Sequence, residues 1–132
     1  VVYETDDRFY VDAIRTGRNP SAYQGTSAEK LDLNRHFTDM PRDAVMYRDI
    51  LRFDWFSNGY TALDPGDPRH VIDVRYSMVP NEIDPLWYIR VPEDRPVDEH
   101  VEYVTNRSAG GGRTTRWWSM LAGDHRDDSI PL

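Results

Sequence analysis

One segment of this chain has a complete helix signal, whereas most other apolar runs are short and separated by Pro and Gly. Within residues 41–57, apolar side chains recur at helical spacing at Val45, Met46, Ile50, Phe53 and Phe56. Thr38 or Asp39 could cap the first free N–H groups, and Pro41 suits the first turn. Gly59 readily takes the left-handed conformation that ends a helix. The sequence therefore predicts one main helix over about residues 41–57.

The other apolar runs are β-rich and bounded by turn residues. At the N-terminus, residues 1–5 and 9–14 flank Asp6-Asp7 and predict a hairpin. Further along, four runs predict an antiparallel meander: 60–63, 71–78, 86–91 and 101–105. Strands and helices do not alternate regularly, which favours the α+β class. We therefore expect an antiparallel sheet, made of the hairpin and the meander, packed by the main helix and a short C-terminal helix.

Three further segments complete the expected organisation. Residues 17–33 are polar and predict a long loop, which is either functional or a surface connection packed by Tyr23 and Leu31. Thr114 or Thr115 could cap the short C-terminal helix, which would run through Ala122. Gly110-Gly111-Gly112 indicates a hinge. A chain of 132 residues fits one domain, predicted over 1–123, with a polar tail over 124–132.

Composition excludes several function classes. The chain has no Cys, which excludes disulfides, thiolate nucleophiles and Cys-ligated metal sites. Its formal net charge of −7 would repel a polyanion, so we expect no nucleic-acid partner. No apolar run approaches the roughly 20 residues that cross a bilayer. The chain begins with Val1, which we interpret as a processed chain or a piece of a larger protein.

The ionisable residues form no recognisable catalytic or metal-binding motif. The four histidines are scattered, and no pair has the i, i+4 spacing that places two imidazoles on one helix face. Folding could still bring His70 and His100 together with Asp73 or Glu99, but we predict no metal site in this chain. A Gly-x-Ser-x-Gly nucleophile motif is also absent from the sequence.

Two strand aspartates have an arginine nearby. Asp12 and Asp73 each interrupt an apolar strand, with Arg15 and Arg75 close in sequence. We predict a cross-strand ion pair for each of them. Arg75 near Asp73 and the predicted helix end could alternatively form a small polar site beside aromatic walls, with its guanidinium fork binding a carboxylate or phosphate.

The aromatic content is high for a small domain. The chain has 4 Trp, 8 Tyr and 4 Phe. These rings can pack in the core, contact a partner or membrane, or stack on a ligand, and core packing is the preferred interpretation. Arg116-Trp117-Trp118 could serve as an interfacial anchor, because indole rings favour the headgroup level of a bilayer.

Two segments of the chain resemble a known family. Residues 7–15 (DRFYVDAIR) are followed by residues 27–33 (SAEKLDL), and residues 51–60 (LRFDWFSNGY) are followed by residues 71–76 (VIDVRY). The second pair is similar to the pattern Phe-x-Trp-Phe-Ser-x-Gly-Tyr/Phe leading into Ile-x-Asp-x-Arg-Tyr/Phe. Over roughly residues 7–91, the chain resembles the C-terminal soluble part of bacterial membrane-bound metal-dependent hydrolases. These are also called LexA-binding, inner-membrane-associated hydrolases.

The resemblance implies a location, partners and candidate site residues. It implies a full-length protein associated with the inner membrane, with a multi-pass region that would hold any divalent metal. The positions that match the family motif are Trp55, Ser57, Gly59, Asp73 and Arg75. No metal ligand transfers to this chain.

We therefore expect a non-catalytic accessory or interaction domain. Its partners would be the rest of the membrane protein, and a protein partner or a second copy of the chain. The alternative is a metal-dependent hydrolase whose site lies partly in this domain.

Overall fold

The computed structural model describes residues 1–77, 81–94, 96–105 and the backbone of 129–131. Every strand pair in it is antiparallel, which confirms the α+β class with antiparallel sheets. In chain order, the elements are β1 (Val2–Glu4), β2 (Arg8–Arg15), β3 (Ser21–Glu29), α1 (Leu33–His36), α2 (Val45–Phe56), β4 (Thr61–Leu63), β5 (His70–Asp73), β6 (Trp87–Arg90), β7 (Glu102–Thr105) and β8 (Ser129–Pro131).

The strands form two sheets, whereas the sequence predicts one. The N-terminal sheet has the order β1-β2-β3-β8, and the central sheet has the order β4-β5-β6-β7. The predicted hairpin therefore lies in one sheet and the predicted meander in the other. The two sheets meet where Lys30 forms an isolated antiparallel bridge with Ala62.

The largest difference from the sequence prediction lies in residues 17–33. Most of this predicted loop is the strand β3, which pairs along β2 from Ser21↔Arg15 to Glu29↔Arg8. The segment has few of the β-branched and aromatic residues that mark strands, so its strand conformation comes from pairing with β2. Tyr23 and Ala28 of β3 are buried, at 2% and 1% exposure. The loop prediction is therefore wrong.

Strands β4 and β5 of the central sheet are buried on both faces, and neighbouring residues alternate between two clusters. Val71 packs in the same cluster as Ile50 of α2, so this face of the sheet lies under the helix. Ile72 packs instead with Phe9 and Ala28 of the N-terminal sheet. The order of layers is therefore N-terminal sheet, central sheet and helix.

The main helix is shorter than predicted at its start. It begins at Val45 rather than at residue 41, and its N-cap Ala44 makes no side-chain cap hydrogen bond. The first helical N–H, that of Val45, donates to the carbonyl of Val97 at 2.9 Å. The N-cap position is Ala44, so the helix begins several residues after the predicted caps Thr38 and Asp39. The helix ends at Phe56, one residue before the predicted end.

Other predicted boundaries differ at β5 and at the C-terminus. The run 71–78 is a strand only as far as Asp73, because the Asp73 carboxylate accepts the N–H of Arg75 and turns the chain. The predicted helix over 114–122 and the glycine hinge lie outside the described residues. Within the predicted tail, residues 129–131 form β8 beside β3.

Candidate functional site

The C-terminal end of α2 places the motif residues that follow it. Asn58 and Gly59 have φ angles of 54° and 78°, in the left-handed region. The N–H of Gly59 donates to the carbonyl of Asp54 at 3.0 Å, which closes the helix. The N–H of Tyr60 donates to the carbonyl of Ser57 at 3.0 Å, so the chain turns directly into β4.

An ion pair lies at the C-terminal end of β5, where Asp73 pairs with Thr61 at the start of β4. Arg75 donates to Asp73 from its backbone N–H at 3.1 Å, its Nε at 3.0 Å and its Nη2 at 2.7 Å. Asp73 is 1% exposed, whereas 26% of the Arg75 side chain is exposed. These hydrogen bonds from the guanidinium raise the pKa of Arg75. A bidentate contact of this kind fixes the plane of the guanidinium group.

Aromatic rings surround this fixed guanidinium. Its carbon lies 5.0 Å from the ring centroid of Tyr76 and 5.5 Å from that of Tyr60, within cation–π range. Tyr76 contacts Trp87 at 4.9 Å between centroids, and Trp87 contacts Phe56 at 6.3 Å. These four rings therefore form one connected group around the end of α2.

Several of these rings are exposed. The exposed fraction is 57% for Phe56, 42% for Tyr76 and 36% for Tyr60. Trp55, which precedes Phe56 in α2, is 84% exposed. We call the set Trp55, Phe56, Tyr60, Tyr76 and Trp87 the aromatic corner. An exposed aromatic cluster beside a fixed arginine has the composition of a protein-interface core.

Four of the five predicted site residues lie at the turn after α2 or at the end of β5, and the fifth, Trp55, is in the last turn of α2. Asp73 and Arg75 form an ion pair, but it is local, between residues two positions apart, and not across strands as predicted. Gly59 caps the helix. Ser57 is fully buried, and its Oγ has no hydrogen-bond partner among the described residues. Trp55 is the member that faces solvent. Four of the predicted residues therefore have a structural place in the corner, and one, Trp55, is part of its exposed surface.

Sequence reasoning did not assign Phe56, Tyr60, Tyr76 or Trp87 to a site. Its preferred interpretation placed the aromatic rings in the core. The sequence nevertheless indicated that two of these residues lie at the site, because Phe56 and Tyr60 flank the motif residues Ser57 and Gly59. Side-chain exposure at a helix end depends on how α2 packs, which the sequence pattern alone did not show.

The predicted ion pair of Asp12 does not form. The Asp12 carboxylate accepts the N–H of Gly25 at 2.8 Å and the hydroxyl of Tyr3 at 2.7 Å. The register of β2 against β3 shifts between Val11 and Ala13, so Asp12 lies at a β-bulge. The Asp12 carboxylate therefore makes its hydrogen bonds within the sheet at this bulge. Arg15 donates instead to the carbonyl of Asn19.

The described histidines have separate surroundings. His36 lies 3.2 Å from Glu29, and the hydrogen bond from this imidazole lowers the pKa of Glu29. His70 lies 3.5 Å from both Asp64 and Asp67. His100 lies 2.8 Å from Asp49.

These surroundings leave His70 and His100 in different networks. The fourth histidine, His125, is outside the described residues. Within the described part of the chain, no three His, Asp or Glu side chains are grouped to hold a metal ion.

Comparison with known proteins adds no relative to this picture. Searches against protein-family models, curated proteins and solved structures give no match. Among the described residues, no helix is long and apolar enough to cross a membrane. The family resemblance of residues 7–91 therefore stays a prediction.

Proposed function

We propose that this chain is a non-catalytic interaction domain that contacts a protein partner through the aromatic corner. The observation that carries the proposal is the exposure of Trp55 and Phe56, at 84% and 57%, together with the partly buried Asp73–Arg75 ion pair in the same corner. Water contact with apolar rings is unfavourable, so covering them in a complex stabilises that complex. Trp, Tyr and Arg are also the residues most often found at interface hot spots.

The arrangement of the corner supports a specific contact. Tyr60 and Tyr76 both contact the guanidinium that Asp73 holds, and Val74 donates its N–H to the Tyr60 carbonyl at 3.0 Å. These contacts limit the positions that the two rings can take before a partner arrives. A contact surface ordered in advance loses less conformational entropy on binding.

The family resemblance of the sequence supports a proposal for the location and partner of the domain. We propose that the partner is part of an inner-membrane protein, either the rest of the same protein or an associated chain. The alternative, a metal-dependent hydrolase with a site partly in this domain, stays a prediction. Its test is metal analysis of untreated full-length protein, where a bound divalent metal lost in variants of this domain's His or Asp residues would favour it.

Site-specific photo-cross-linking tests the proposed contact. Benzoylphenylalanine is placed at position 55 of the full-length protein in its own cells, and at position 14 as a control. Ile14 is a matched site because it is apolar and 46% exposed on the other sheet. We expect one defined polypeptide to be cross-linked at position 55 and not at position 14.

Affinity measurements decide whether that polypeptide is a true partner. After purification, it should bind the protein, and Trp55→Ala should weaken binding about tenfold or more. Ile14→Ala should leave the dissociation constant unchanged. Equal cross-linking at both positions, or an unchanged dissociation constant for Trp55→Ala, would overturn the proposal.

A further inference from the structure

A second exposed apolar surface lies between α2 and the central sheet. It is a groove of about 440 Å³, whose apolar lining residues are Phe53, Phe56, Ile89, Val101 and Tyr103. Asp49 of α2 accepts the backbone N–H of Val101 at 3.2 Å and lies 2.8 Å from His100 Nδ1. These contacts hold the start of β7 against the helix, and so fix the width of the groove at that end.

The groove runs beside the edge of a sheet. In the central sheet β7 is the last strand, and among the described residues no strand pairs with its outer side. An antiparallel edge strand directs alternate N–H and C=O groups away from its neighbour. Such a row of unpaired groups can hydrogen-bond an added strand.

The register of β7 relates this edge to the groove. Tyr103 is opposite Ile89, which packs in the cluster under α2, so Tyr103 lies on the helix side of the sheet. Tyr103 is 57% exposed. Because side chains alternate along a strand, every second side chain of a strand added to β7 would enter the groove.

The charged side chains near β7 indicate what charge an added strand should have. Asp98 and Glu99 precede β7, are exposed, and have no ion pair within the described part of the chain. The cations at this surface have carboxylate partners: Arg90 lies 3.1 Å from Glu102, and Arg52, which lines the groove, lies 3.6 Å from Asp49. The whole chain has a formal net charge of −7. A basic segment therefore complements this edge, whereas an acidic one would be repelled.

We propose that the β7 edge binds an extended basic segment of a protein partner as an additional strand of the central sheet. Alternate apolar side chains of that segment fill the groove, and its Lys or Arg side chains lie near Asp98 and Glu99. The inference rests on the proposed function, since it assigns the binding mode and charge of the same partner, and Phe56 belongs to both surfaces.

A defined peptide probe tests this binding mode. The probe is a peptide of alternating valine and lysine, about six residues long to match a typical strand. One comparison peptide has glutamate in place of lysine, and another is N-methylated at alternate residues to remove hydrogen-bond donors along one edge. Binding to the full chain is measured by isothermal titration calorimetry.

We expect the lysine peptide to bind, and the other two peptides to bind at least about tenfold more weakly. Tyr103→Ser should weaken binding of the lysine peptide by a similar factor, with Ile14→Ser as the control that leaves it unchanged. Equal binding of the lysine and glutamate peptides, or no loss on N-methylation, would overturn the proposal.

Two further outcomes keep this inference separate from the proposed function. Failure of the lysine peptide to bind, while cross-linking at position 55 persists, contradicts strand addition alone. Peptide binding without a position-55 adduct contradicts the aromatic-corner contact alone. A self-association seen by analytical ultracentrifugation and lost in Tyr103→Ser would identify a second copy as the occupant, and would overturn the basic-partner proposal.

Discussion

The bulge of the N-terminal sheet and the aromatic corner are each organised by one aspartate, but only the corner presents a surface. At the bulge, Asp12 accepts hydrogen bonds from Gly25 and Tyr3, both in the same sheet. At the corner, Asp73 holds Arg75, whose guanidinium lies between exposed rings. The first aspartate joins strands to each other, and the second positions side chains that can contact another molecule.

The two sites also differ in how closely they are packed, and again only the corner leaves side chains exposed. A Cβ at Gly25 would lie 1.5 Å from the Val11 carbonyl oxygen, so strand backbones there are in close contact. At the corner, Trp55 remains 84% exposed. Close backbone packing at the bulge therefore serves stability, whereas the corner leaves apolar area available for binding.

Gly25→Ala should have the largest effect. The added methyl group meets backbone atoms of Val11 and Asn81, which cannot move as a side chain can. We expect a loss of about 3 kcal/mol in the free energy of unfolding, measured in urea. Gly66→Ala is the control, because its Cβ would make an ordinary contact at 3.4 Å with Asp64. Equal effects of the two substitutions would show that the bulge is not closely packed.

Asp73→Asn should have the next largest effect. The asparagine cannot neutralise Arg75, and a partly buried guanidinium is left without its carboxylate. We expect a loss of about 2 kcal/mol in the free energy of unfolding, together with weaker partner binding because Tyr60 and Tyr76 lose their support.

The matched variant on the other sheet is Asp12→Asn. Here the side-chain oxygen still accepts the N–H of Gly25, and both donors to Asp12 are neutral groups. The expected loss is about 1 kcal/mol, without an effect on partner binding. If Asp12→Asn lowers the free energy of unfolding as much as Asp73→Asn does, the two carboxylates contribute equally to stability, which contradicts the expected difference between them.

High pH should affect the bulge through Tyr3. The hydrogen bond to Asp12 raises the pKa of Tyr3 above its ordinary value of 10.0. The folded state therefore favours the neutral phenol, and this contribution to stability is complete below pH 10.0. It is lost as the pH rises through the raised pKa. Urea unfolding above pH 10 should show a decline that Tyr3→Phe reduces, and an identical decline in the variant would contradict this assignment.

Part of the fold and site could be predicted from local pattern. The spacing of Ile50 and Phe53 predicts α2, and Gly59 predicts its end. The proximity of Asp73 and Arg75 in sequence predicts that they pair, although their contact is local and not across strands. Both features depend on neighbours in sequence, where periodicity and capping chemistry are informative.

The rest depends on contacts between distant segments. Strand β3 has little strand propensity and forms because β2 pairs with it, and the start of α2 is set by the Val97 carbonyl. Asp12 bonds to Gly25 only because a bulge brings them together. The exposure of Phe56, which continues the apolar spacing of the helix, likewise results from how α2 packs on the central sheet. None of these contacts leaves a local sequence pattern.

The free energy of unfolding of Trp55→Ala decides whether this ring belongs to the core or to a contact surface. If Trp55 serves contact with a partner rather than the core, removing its ring should change that free energy by no more than about 0.5 kcal/mol in urea. Ile14→Ala, at a similarly apolar exposed site, provides the reference. A loss of about 3 kcal/mol or more, as truncating a buried aromatic residue causes, would show that Trp55 is a core residue and would contradict the account.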